Sequence, residues 1–111
     1  MDCYHVWCDL RDSSRDLEFA DNLAAWLGLL QSEGRIAGWR LTRRKLGFGP
    51  AGLGEMHVTI ETDDLSQLER AFEAAARRTG DAEARHSAVF SMVRNAVFSL
   101  ERDFPDPVRG R

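Results

Sequence analysis

The sequence predicts an α+β domain, one four-stranded antiparallel sheet with helices on a single face, and three observations carry that prediction. Residues 3–10 and 55–61 alternate apolar and polar side chains with period two, as half-buried strands do. Two longer stretches, from Arg15 and from near Asp64, carry apolar residues at helical spacing just after capping residues. Read in order along 111 residues, the patterns give β-α-β-β-α-(α)-β.

The first strand, residues 3–10, puts Tyr4, Val6, Cys8 and Leu10 on one face and Cys3, His5, Trp7 and Asp9 on the other. The first set is a core face. The second is too polar for a core and too aromatic for a plain solvated surface. Arg11 to Ser14 form a polar break in which Ser13 and Asp16 have capping-box spacing. A helix over 15–32 follows, with Leu17, Ala20, Leu23, Ala24, Leu27 and Leu30 as its stripe and Phe19 and Trp26 widening it. That stripe is broad enough to cover a sheet and leave area for a loop or a second subunit. Gly34 is its natural stop.

The second strand, 36–45, turns Trp39 and Leu41 inward and Gly38, Arg40, Thr42 and Arg44 outward. A glycine-rich connection, 46–54, leads to the third strand, where Met56, Val58 and Ile60 oppose His57, Thr59 and Glu61. Asp64 and Gln67 mark the next helix, with Leu65, Leu68, Phe72 and Ala75 as its stripe and Gly80 as its end. His86, Val89, Phe90 and Val93 have helical spacing and predict a short helix within 81–95. The last strand, 96–102, turns Phe98 and Leu100 inward and Val97, Ser99 and Glu101 outward. Beyond Asp103, Pro105 and Pro107 prevent regular ladder pairing. This order is the split βαβ of the ferredoxin-like plan, in which the first and third strands are central neighbours. The outward half-strands then collect on one uncovered face.

The length fits one domain, residues 1–111, and 43% hydrophobic with 30% charged residues is ordinary for a globular protein. A net charge of −3 supplies no global basic field, so neither nucleic acid nor an anionic membrane is an expected partner. No apolar run reaches the roughly 20 residues of a membrane span, and no leading basic-then-apolar segment has signal-peptide form. A cytoplasmic location is therefore expected. Cys3 and Cys8 lie on opposite faces of one strand about 16 Å apart, too far for a disulfide. They also lack the spacing of a zinc knuckle.

Residues 47–52 spell G-x-G-x-x-G, yet a strand follows where a dinucleotide fingerprint needs a helix N-terminus. The stretch is expected to be a mobile hairpin loop, and no cofactor or metal is expected. The basic run Arg43-Arg44-Lys45 alternates between faces on its strand, which predicts a solvated hairpin end. RNA-recognition motifs share the element order but stack bases on third-strand aromatics, where this chain offers His57, Thr59 and Glu61.

His5 and His57 are the sharpest candidates for catalysis, as general base or proton donor, with Asp9 to orient them. Strand register decides whether they meet. Centring the strands favours His57 opposite Trp7 or Asp9 over a direct pairing of the two histidines. Trp7, Arg40, Thr59 and Glu61 are expected to bind substrate, Trp7 by stacking and Arg40 by neutralising charge. His86, on an apolar stripe, is expected to be structural.

The element order, a face carrying His5, Trp7 and His57, and the ending Leu100-Glu101-Arg102-Asp103-Phe104-Pro105-Asp106-Pro107 together resemble the dimeric α/β-barrel superfamily. More narrowly, residues 4–10, the stretch from Gly38 to Gly47, and Asp103-Phe104-Pro105-Asp106 resemble a small bacterial family without an established function. The resemblance implies a homodimer in which two sheet faces stack and enclose a polar cavity. Superfamily members include small monooxygenases, haem-degrading enzymes, polyketide-cyclase-like proteins and stress-responsive proteins, and no catalytic signature carries over from them. Two functions are expected to compete. One is a cofactor-independent enzyme acting by histidine acid–base chemistry on a small anionic or aromatic molecule. The other is a non-catalytic ligand-binding or stress-responsive dimer.

Overall fold

A computed structural model describes residues 1–105. Strand β1 (Asp2–Leu10) leads through a 3₁₀ turn (Ser13–Arg15) into helix α1 (Asp16–Ser32). Strands β2 (Gly38–Arg43) and β3 (Met56–Thr62) follow, then helices α2 (Leu65–Ala75) and α3 (Gly80–Phe90), then strand β4 (Val93–Arg102). The sheet runs β2-β3-β1-β4 with every neighbouring pair antiparallel. That is the ferredoxin-like arrangement, with β1 and β3 at its centre.

The core lies between this sheet and the helices. Cys8, Leu10, Met56 and Val58 from the central strands meet Phe19, Leu23, Trp26, Leu27 and Leu30 from α1. Burial pushes the Cys8 thiol up to about 11, as befits a small core residue. Leu17, by contrast, stands 78% exposed and off the buried stripe. Asp12, not Ser13, caps the first turn, accepting from the Ser14 amide at 3.0 Å. The second cap has the expected pair: Asp64 accepts from the Gln67 amide at 2.8 Å, and Gln67 reaches back to the Asp63 amide at 2.7 Å. Gly34 ends α1 at φ 72, a left-handed conformation that favours glycine.

Two boundaries differ from the expectation. The stretch from Leu65 to Gly80 is not one helix: α2 ends at Ala75 and Gly80 opens α3. Strand β4 begins at Val93 rather than residue 96, because the ladder with β1 shifts between Trp7 and Asp9. An extra residue there, with Asn95 at φ 55, moves the inward set from Val93 to Ala96, Phe98 and Leu100. A bulge breaks the period of two, so alternation alone recovers only the half of the strand beyond it. Pro107 lies outside the described residues, while β4 stops at Arg102 and the Asp103 amide donates to the Met1 carbonyl at 3.1 Å.

The connection over 46–54 runs into strand β3, so its glycine pattern is not followed by the helix N-terminus that the dinucleotide fingerprint uses. Arg44 holds its shape by donating to the carbonyls of Pro50 and Leu53 at 3.2 and 2.8 Å. Arg43 pairs with Asp16 at 2.9 Å and Glu55 at 3.4 Å, so this part of the basic run serves the hairpin. Gly54 has a steric role: a Cβ there would come within 2.3 Å of the Cys8 backbone carbon.

Candidate functional site

The face of the sheet turned away from the helices carries the outward half of every strand. On β1 and β3 the ladder pairs Trp7 with His57 and His5 with Thr59. On β2 and β4 it places Thr42 beside His57, Arg40 beside Thr59 and Ser99 beside His5. The expected offset of His57 toward Trp7 is present. Direct pairing is not required for the histidines to meet, however: diagonal neighbours on adjacent strands remain within reach of ring side chains. His5 Nδ1 and His57 Nε2 lie 2.8 Å apart.

Trp7 stacks on His57, while His5 meets His57 edge to edge through their ring nitrogens. Trp7 and His57 are parallel within 9° at a centroid distance of 4.4 Å, and His5 lies 5.1 Å from His57 and 5.5 Å from Trp7. At its other nitrogen, His5 Nε2 is 2.9 Å from the Glu101 carboxylate, a neighbour that outward alternation places but does not single out. Thr59 Oγ1 is 3.4 Å from His57 Nε2, and the Ser99 hydroxyl is buried without a hydrogen-bond partner among the described residues.

These contacts fix the proton positions. A carboxylate only accepts, so His5 Nε2 donates to Glu101. With both rings neutral, His5 Nδ1 then accepts from His57 Nε2, which leaves the lone pair on His57 Nδ1. Burial, and then repulsion from a protonated His5, hold the His57 pKa below the usual imidazole range, while Glu101 acts in the opposite sense. The arrangement is a carboxylate–imidazole–imidazole chain ending in an unprotonated ring nitrogen. Among the described residues no three histidine, cysteine or acidic side chains converge as a group that could hold a metal ion.

The remaining candidates are spread around this chain. Asp9 stands apart from the histidines: its oxygens accept from the Glu55 amide at 3.2 Å and from Asn95 Nδ2 at 3.4 Å. It ties the start of β3 and the β4 bulge to β1. Trp7 gives one face to His57. Arg40 is exposed on the same face, and its side chain has no ion pair or hydrogen bond among the described residues. Glu61 sits between Cys3 and Gly38 in the ladders, two rows from His57 and beyond Thr59. Its charge, after burial, helps to raise the Cys3 thiol.

Fold and site together define a ferredoxin-like α+β domain with a histidine chain on its open sheet face. The chain belongs to the family of unknown function DUF6614, whose model matches residues 1–111. No curated protein matches it. Among solved structures it is similar to a dimeric ferredoxin-like protein of unknown function from Jannaschia sp. CCS1, at 11% identity and a TM-score of 0.67, covering 93% of this chain and all of that one. HapK from Hahella chejuensis aligns at 10% identity and a TM-score of 0.69 over 96% of this chain and 95% of its own. A dimeric ferredoxin-like protein from an uncultured marine organism aligns at 14% identity and 0.54, over 92% and 91%. At such identities the likeness is one of fold. Among the described residues no helix is long and apolar enough to cross a membrane.

Proposed function

We propose that the chain is a homodimer whose open sheet faces stack and enclose a small-molecule site, with Glu101, His5 and His57 as its proton relay. The observation that carries this reading is the unbroken hydrogen-bonded sequence from Glu101 through His5 to His57, at 2.9 and 2.8 Å. His57 Nδ1 is the base. It takes a proton from an acidic C–H or O–H of the substrate, and the charge that develops is shared with His5 and balanced by Glu101. A depressed His57 keeps the acceptor form present at neutral pH. Arg40 supplies the counter-charge for an anionic substrate, with Thr59 beside it, and Trp7 holds the His57 ring in place. Asp9 serves as a strut. Dimeric relatives of the same fold support the assembly, since a monomer would leave these rings facing water.

A second reading is favoured by the ring cluster itself: three aromatic rings in contact are also a good packing surface. On it the dimer binds a ligand, or only itself, and transfers no proton. Light scattering at micromolar concentration is expected to give twice 12.5 kDa. Benzoate is then titrated at pH 6 and pH 8 against wild type and Arg40→Ala. A bound anion favours the imidazolium, so affinity is expected to rise as pH falls and to drop in Arg40→Ala. A clean monomer, or an affinity indifferent to pH and to Arg40, leaves the face without the proposed site.

A further inference from the structure

The helix side of the sheet holds a separate feature, an apolar cavity of about 250 Å³ between the strands and all three helices. Its inner wall is core: Val6, Cys8, Leu27 and Val58. Its outer lining includes Phe72, Phe90 and Phe98, which are 46%, 60% and 52% exposed. Side chains that line a cavity and also reach solvent mark its mouth. Ala71, Ala75 and Ala96 line it as well, at positions where a larger apolar side chain would close the space. Large voids destabilise a core, so one left open beside three alanines calls for an occupant.

We propose that this cavity binds a neutral aromatic molecule of one or two rings that carries a single hydroxyl or carbonyl group. Size sets the upper limit: an apolar cavity of about 150 Å³ takes benzene, and this one is larger by roughly one further ring. Shape favours a flat guest, because Tyr4, Trp26, Phe72, Phe90 and Phe98 offer ring faces and edges. Tyr4 itself packs edge-on to Phe72 at 5.2 Å and parallel to Phe98 at 5.9 Å. Charge is disfavoured by the lining. One polar group is matched by His86, whose ring lies between Trp26 and Phe90 at 5.1 and 5.7 Å and makes no hydrogen bond among the described residues. Burial holds His86 below the usual imidazole range, so at neutral pH its ring offers one donor and one acceptor without a charge. The site lies across the sheet from the histidine chain and stands independently of it.

The test uses 2-naphthol and naphthalene as probes, titrated calorimetrically into the wild-type chain, Ala75→Phe and His86→Leu, with a thermal melt of each. Wild type binds both probes, one per chain. Ala75→Phe fills the space and loses both, with a melting temperature at or above that of wild type; Ala71→Leu does the same by a second route should the first fail to fold. His86→Leu keeps naphthalene unchanged and binds 2-naphthol about five- to tenfold more weakly, the loss of one hydrogen bond. Absence of binding to wild type overturns the proposal. Binding that survives a folded filling variant, or a His86→Leu effect equal for both probes, overturns it as well.

Discussion

Trp7 and His57 face each other across the central ladder, with rings parallel within 9° and centroids 4.4 Å apart. The indole blocks rotation of the imidazole toward that side, and the ring that results points Nε2 at His5. An aromatic residue directly opposite thus orients a histidine toward its diagonal neighbour.

The coupling of the histidines is measurable. A double-mutant cycle over His5→Ala and His57→Ala is expected to give about 0.5–1.5 kcal/mol of interaction in chemical denaturation. Additive single mutants would mean that the 2.8 Å contact contributes nothing in solution.

Stability should depend on pH through His57 and His86, both held below 6.5 in the folded chain. As pH falls through 6.5 the unfolded state takes up protons first, so folding stability drops in that window and the loss is complete below the folded values. The melting temperature is expected to be lower at pH 5 than at pH 7.5, and His86→Phe should flatten the slope. Because Glu101 favours the His57 imidazolium, Glu101→Gln should depress that histidine further, a shift that NMR titration reads directly.

Adjacent residues of β3 should respond differently to truncation. Val58 is 4% exposed in the core, and Val58→Ala is expected to cost about 2 kcal/mol. His57→Ala removes a partly exposed ring and one hydrogen bond, at about 1 kcal/mol. Melts that reverse this order would make the ring stack chiefly a structural element.

Gly54→Ala tests the close approach of the hairpin to β1. Its Cβ would sit 2.3 and 2.4 Å from the Cys8 carbonyl carbon and oxygen, backbone atoms that cannot turn aside. The strands must separate locally, and a cost of about 2–3 kcal/mol is expected by denaturant titration. A neutral effect would show that the hairpin shifts freely.

The element order was legible because each pattern has a local physical cause. Alternation put Val6 and Val58 inward and His5 and His57 outward. The Asp64–Gln67 cap and Gly34 announced helix ends through backbone hydrogen bonding and left-handed geometry. The open face and its membership, including Ser99 and Glu101, followed from these periods alone.

What only the tertiary structure decided is which members of that face touch. Register paired Trp7 with His57, and side-chain reach then joined His5 to His57 across the diagonal. Asp9 anchors the bulge at Asn95 instead of meeting a histidine, and the acid beside His5 is Glu101 from the edge strand. The cavity behind Tyr4 was equally invisible, because Ala71, Ala75 and Ala96 are ordinary apolar residues in their own segments. Period and capping are properties of a few consecutive residues, whereas a hydrogen bond between residues 5 and 57, or a void between a sheet and three helices, exists only once distant segments have packed.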